Sequence, residues 1–213
     1  MPPLKHEVRP EICADGPIND KIWALRATGY RSRHNSLPRG PREAMPTYVA
    51  LLRAINVGGH KLPMAALLQM CRSAGFDRPR TYIASGNALF ECRLGESRVR
   101  QALMRQLEDY FGQPIGVQVR TAAQLTAVWA ANPFPQAPPS RTVAIFLEAP
   151  PPAGALQDIR GGKHERLVCG TREIYVHYPD GIGASTLVIP AARAGTARNL
   201  NTVGALAALA APH

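Results

Sequence analysis

The chain has 213 residues, of which 46% are hydrophobic and 19% charged, and it carries a formal net charge of +10. That length holds one domain or two small ones, and the apolar share suffices for a packed core, which excludes a wholly disordered or fibrous chain. No apolar run approaches membrane-spanning length and the N-terminus lacks the apolar stretch of a signal peptide, so a cytoplasmic protein without membrane partners is expected.

Residues 1–44 stand apart. Pro2, Pro3, Pro10, Pro17, Pro38 and Pro41 punctuate them, aliphatics are few, and no apolar period of 2 or 3.6 persists. They read as a disordered extension with a short helix near Asp20–Ala27. Met45 lies directly before the first clean strand and is a candidate native start.

From Thr47 the pattern is regular. Thr47–Arg53 reads as a strand. Pro63–Ala74 reads as a helix, with Met64, Leu67, Leu68 and Cys71 as its apolar stripe and Gly75 as its cap. Arg80–Ala84 and Ala88–Cys92 are short strands joined at Ser85-Gly86-Asn87. Ser97–Phe111 is an amphipathic helix ended by Gly112, and Ile115–Arg120 alternates as a strand. This β-α-β-β-α-β order predicts a ferredoxin-like α/β plait over residues 45–120, an antiparallel sheet with its helices on one face.

Residues 121–213 repeat the theme less cleanly and predict a second plait-like domain. Ala122–Ala131 reads as a helix stopped at Asn132-Pro133. Thr142–Leu147 reads as a strand, followed beyond Pro150-Pro151-Pro152 by a short helix near Ala155–Ile159. Arg166–Cys169 and Glu173–Tyr178 form a hairpin around Gly170-Thr171. A short helix follows Gly183, and the segment from Thr196 opens a last helix running to about Ala210. No close internal sequence repeat is visible. The fold class is therefore α+β, with two plait domains.

Three loops concentrate the polar chemistry. In Arg53-Ala54-Ile55-Asn56-Val57-Gly58-Gly59-His60-Lys61, a glycine pair between a strand and a helix lets backbone approach an anion, with Arg53, Asn56 and Lys61 beside it. In a plait the first two strands run parallel, so this loop and Ser85-Gly86-Asn87 emerge at one rim. Turn chemistry alone also explains both. Tyr178-Pro179-Asp180-Gly181-Ile182-Gly183-Ala184-Ser185 is a second glycine loop, in which Asp180, Gly181, Gly183 and Ser185 serve as ligand candidates or simply as turn and cap. Arg198, Asn199 and Asn201 stand at the start of the last helix, where a positive helix end suits an anion.

Other chemistries find less support. GxxxxGK[ST] and GxGxxG are absent, so no nucleotide cofactor is indicated by those routes. Cys13, Cys71, Cys92 and Cys169 form no CxxC pair, so no metal site is expected and free thiols in a reducing compartment are. Ser185, His177 and Asp180 are close in sequence, but no GxSxG elbow exists and a hydrolytic triad is not expected. The RNP pattern of an RNA-recognition plait is missing as well. Arginine supplies 21 of the 25 cationic side chains, scattered without a block. That charge admits nucleic acid, nucleotides or acidic small molecules, and equally a plain solvated surface.

Taken in order, Tyr48-Val49-Ala50-Leu51-Leu52-Arg53-Ala54-Ile55-Asn56-Val57-Gly58-Gly59, Arg80-Thr81-Tyr82-Ile83-Ala84-Ser85-Gly86-Asn87, Asn132-Pro133-Phe134, Tyr178–Gly183 and Thr196–Val203 give the chain a specific likeness. It resembles the DUF1697 family, bacterial proteins of unknown function, from Met45 to about Ala210. The resemblance implies two α/β-plait domains and no established activity. Ala84, Thr186 and Leu200 stand where the family usually has Gln, Lys and Trp. Three functional readings stay open: binding of an anionic or polar ligand (nucleic acid or nucleotide) at the glycine loops, a small-molecule enzyme with its site between the domains, and a protein-interaction scaffold. The oligomeric state is not indicated.

Overall fold

In the computed structural model, which describes residues 45–57 and 59–211, two four-stranded antiparallel sheets enclose a pair of helices. The expected extension, its helix near Asp20–Ala27 and the start at Met45 concern residues that lie outside the described ones, apart from Met45 itself; Gly58 lies outside them too.

The first sheet holds β1 (Thr47–Leu52), β2 (Asp77–Thr81), β3 (Asn87–Glu91) and β4 (Val117–Thr121), in the order β2-β3-β1-β4. Alternation along β1 divides the core. Tyr48, Ala50 and Leu52 face helices α1 (Met64–Ser73) and α2 (Glu96–Phe111), whose Leu67, Met70, Cys71, Val99, Leu103 and Leu107 are buried there. Gly112, at φ 69°, closes α2 with a left-handed cap. Val49, Leu51 and Leu89 point the other way, onto α3 (Ala122–Ala130) and α4 (Leu200–Ala210). Helices therefore cover both faces of the first sheet, where one face was expected.

The second sheet holds β5 (Thr142–Phe146), β6 (Arg166–Cys169), β7 (Glu173–His177) and β8 (Thr196–Asn199), in the order β6-β7-β5-β8. Its Ala144, Phe146 and Tyr175 close on α3 and α4 from the opposite side, so one core of two helices serves both sheets. Its outer face is covered by loop residues such as Leu156, Leu187 and Ile189. The helix expected near Ala155–Ile159 is a turn, because the preceding proline run and Gly154, at φ 77°, leave too short a stretch to nucleate. The short helix expected after Gly183 is a single 3-10 turn, Ile182–Ala184. The segment Thr196–Asn199, expected to lead into the last helix, is a strand.

The two sheets are copies of one arrangement. Val49 pairs with Arg120 across β1 and β4, as Ala144 pairs with Arg198 across β5 and β8. Leu52 N–H donates to Gly86 O at 2.8 Å, and Leu147 N–H donates to Arg172 O at 2.8 Å. Arg120-Thr121 leads into α3 and Arg198-Asn199 into α4, with Thr121 and Asn199 as the helix N-caps. A structural repeat is thus present where no close sequence repeat is visible. Among the described residues, no helix is long and apolar enough to cross a membrane.

Candidate functional site

The first glycine loop and the β2–β3 hairpin meet at one rim. Asn56, at φ 59°, holds its own loop: its Oδ1 accepts from Leu62 N–H at 2.9 Å and its Nδ2 donates to Leu62 O at 3.1 Å. The same Nδ2 reaches Ala84 O at 2.6 Å, which ties the two loops together. Gly86, at φ 74°, lies so close to the chain that a Cβ there would stand 3.0 Å from those of Leu52 and Ile55. The buried Asn87 donates through Nδ2 to Tyr82 O at 3.0 Å and to Ser85 Oγ at 2.9 Å. Arg53, Gly59 and Lys61 remain exposed on this rim.

Arg198 is not at a helix end facing solvent. It lies on the inner face of β8, 8% exposed, and crosses to the first sheet. Nε donates to Asn87 Oδ1 at 2.6 Å, and Nη2 to Leu52 O at 2.8 Å, Ser85 O at 2.8 Å and Gly86 O at 3.3 Å. Nη1 is taken by Thr196 Oγ1 at 3.0 Å and Ala197 O at 2.8 Å. Every nitrogen of the guanidinium is engaged inside the chain. Asn199 caps α4 by accepting from Thr202 N–H at 2.9 Å, and Asn201 is exposed on the first turn.

Arg120 is the counterpart that sequence reading passed over. It is 1% exposed, and its Nη2 donates to Leu147 O at 2.7 Å and Arg172 O at 2.9 Å, with Nη1 on Val119 O at 2.8 Å. Its guanidinium stands 5.5 Å from the Phe146 ring centre. Burial pushes both Arg120 and Arg198 down to about 10, which still leaves each charged at neutral pH. Arg172 holds Glu96 in a two-pronged pair at 2.6 and 3.1 Å. Burial alone would raise the Glu96 carboxyl, but Arg172 outweighs it and the net displacement is downward. The available signal was an arginine one residue before a helix N-cap, occurring twice.

The second glycine loop forms a separate hollow of about 200 Å³. Asp180 Oδ2 lies 2.9 Å from His164 Nδ1, and Ser185 Oγ donates to Glu165. Gly181, at φ 88°, turns the chain there, and Gly183 is exposed. Ser185, His177 and Asp180 do not assemble: His177 packs against Phe134, 5.8 Å between ring centres, and its Nδ1 is buried without a partner among the described residues. The Ser185 hydroxyl and then the Lys163 amide hold the Glu165 carboxyl down to about 2. A carboxyl depressed in the folded state stabilises above its ordinary value near 4.3 and loses that contribution as pH falls toward about 2. Ser185→Ala is therefore expected to raise the Glu165 pKa, read by carboxyl-carbon NMR, and to bring acid opening of this loop to a higher pH.

Another hollow lies between the halves. It measures about 400 Å³ and is lined by Arg53, Arg100, Met104, Gly116, Leu147 and Glu148 among others. It straddles the structural repeat, since Arg53 and Glu148 follow the equivalent Leu52 and Leu147. Arg100 is paired with Glu148. No side-chain partner of Arg53 is found among the described residues. Asn56, Asn87 and Arg198 do not line this cleft.

Cys71 and Cys92 are buried, and burial pushes the Cys71 thiol up to about 12, so it is an inert core group. Cys169 is exposed. Among the described residues, no group of three or more His, Cys, Asp and Glu side chains is placed to hold a metal ion.

The model of the family described as protein of unknown function (DUF1697) matches residues 45–175. The chain belongs to the DUF1697 family. Of the two arginines that staple one sheet to the other, Arg120 lies within that stretch and Arg198 lies beyond it on β8. The conserved bacterial protein SP0830 from Streptococcus pneumoniae has a similar structure, with TM-score 0.67 and 22% identity over 78% of this chain and 99% of that one. That likeness concerns the fold. No curated protein matches the chain.

Proposed function

We propose that this DUF1697 protein binds a small anionic ligand with an apolar portion in the cleft between its two halves, acting in the cytoplasm. Each half is read as an α/β plait, the first ending near residue 120, on the strength of its strand order. The observation that carries the reading is the cleft of about 400 Å³ that draws walls from both halves and holds an exposed arginine, Arg53, beside apolar Met104 and Leu147. Arg53 supplies the charge, and a carboxylate or phosphate there would form a charge-assisted pair. Arg100, already held by Glu148, sets the far wall. The segment leading into β4 fixes where Arg53 leaves β1: the Arg53 N–H donates to Gly116 O at 2.9 Å. The enzyme reading shares this cleft, but no residue in it forms a nucleophile–base pair.

A thermal-shift screen with small carboxylates and phosphates tests the reading. Binding at a hundredfold excess over Kd is expected to stabilise the chain by about 2.7 kcal/mol. Arg53→Ala should weaken it about tenfold or more. Stabilisation unchanged in Arg53→Ala would count against the cleft.

Nucleic acid draws on another surface. An open hollow of about 480 Å³ is lined by Arg98, Gln101, Arg105 and Gln106 of α2 with Ser73 and Ala74, and no acidic side chain. Binding there would fall steeply with salt.

A further inference from the structure

The two arginine staples are not equivalent in their surroundings. At Arg198, Nε donates to the Asn87 carboxamide at 2.6 Å. Asn87 opens β3, and the residue that opens β7 in the other copy is Glu173. Glu173 is 4% exposed, yet its carboxylate turns back on its own hairpin: Oε1 accepts from Thr171 N–H at 3.1 Å and Oε2 from Arg172 N–H at 3.0 Å. The hydrogen bonds of Arg120 accordingly leave from Nη1 and Nη2, with none from Nε among the described residues, and the side chain is 1% exposed. Beside it lies a hollow of about 190 Å³, lined by Arg120, Gln124, Ala127, Val128, Thr171 and Glu173. The acceptor that one copy builds from its own chain is missing in the other, and space stands next to it.

We propose that this hollow is a second ligand site, for a small neutral molecule that presents a carbonyl-type oxygen to Arg120 and lays a short apolar tail along Ala127 and Val128 of α3. The charges of the wall decide the class. Arg172 is neutralised by Glu96, which leaves the Arg120 cation and the Glu173 carboxylate to balance one another. An anion would gain at Arg120 and lose at Glu173, and a cation the reverse. A neutral carboxamide or ketone meets the open donor without leaving either charge uncompensated. The site is distinct from the cleft at Arg53, and neither reading depends on the other.

The test is a 15N–1H NMR titration of the full chain with butyramide, with butyrate and butylamine as charged controls. Shifts are expected at Ala127, Val128 and Thr171 with butyramide, half-saturating in the millimolar range fitting so small a ligand. Both controls should bind about tenfold more weakly or worse. Ala127→Leu, at an exposed helix position that faces the hollow, should abolish the shifts while the melting temperature holds; Ala131→Leu serves if that variant fails to fold. The proposal is overturned if butyramide causes no shifts, if butyrate binds as tightly, or if the foldable blocking variant titrates like the parent.

Discussion

Arg198→Ala is expected to cost about 3–5 kcal/mol of stability, the range for uncovering buried partners of a charge. The side chain makes six hydrogen bonds from within the inter-sheet core, and four of them reach the first sheet. Its removal strands the Asn87 oxygen and the Ser85 carbonyl and weakens the bonding of Leu52 O and Gly86 O, which keep Thr196 Oγ1 and Leu52 N–H as donors. For a chain of this size a loss of that order lowers the melting temperature by about 10 °C. Arg198→Lys should recover only part of it, because one ammonium cannot span acceptors that a planar fork meets together. Arg198→Ala also tests the sequence expectation of an anion anchor at this position: loss of ligand binding with full stability would show Arg198 to be an anchor and would contradict the staple.

Arg120→Ala should cost about 3 kcal/mol, less than Arg198→Ala, because it breaks three hydrogen bonds where the other breaks six. Part of that loss is packing, since the guanidinium lies over Phe146. Arg120→Met keeps the volume and should return about 1 kcal/mol or more of it. Urea unfolding reads both, as a fall in midpoint with the slope unchanged. If Arg120→Ala matched the parent within about 0.5 kcal/mol, the level of an ordinary surface substitution, the paired-staple account would fail.

These two arginines also show why part of the fold was illegible in the sequence. The first half announced itself through apolar alternation in Tyr48–Leu52 and the helical stripes of α1 and α2, and its elements fall within a few residues of expectation. β8 did not. Its inward positions are Thr196 and Arg198, polar because they serve main-chain acceptors of the opposite sheet, so no alternation of apolar and polar residues marks the strand. β2 was placed too late, because Tyr82-Ile83-Ala84 looks like a strand. Ile83 stands instead at φ 48°, exposed in the turn, while the real strand Asp77–Thr81 carries a proline and a bulge at the sheet edge. The repeat stayed hidden because equivalent positions do not keep their residues: Gly86 answers to Arg172, whose carbonyl has the same role, and Asn87 to Glu173, whose side chain does not.

The candidate site was legible in part. Arg53, Asn56 and the Ser85–Asn87 turn were picked out and do share a rim, but most of their polar groups bind one another. Glu148 and Arg100 gave no local signal, since only the juxtaposition of the two halves brings them to the cleft.

The binding claim is tested most directly by mass spectrometry of small molecules released from the full chain after gentle purification from cells, run beside Arg53→Glu. The account predicts an anionic compound retained by the parent and lost from the variant. An anionic compound held equally by both, or none held by the parent, would contradict it.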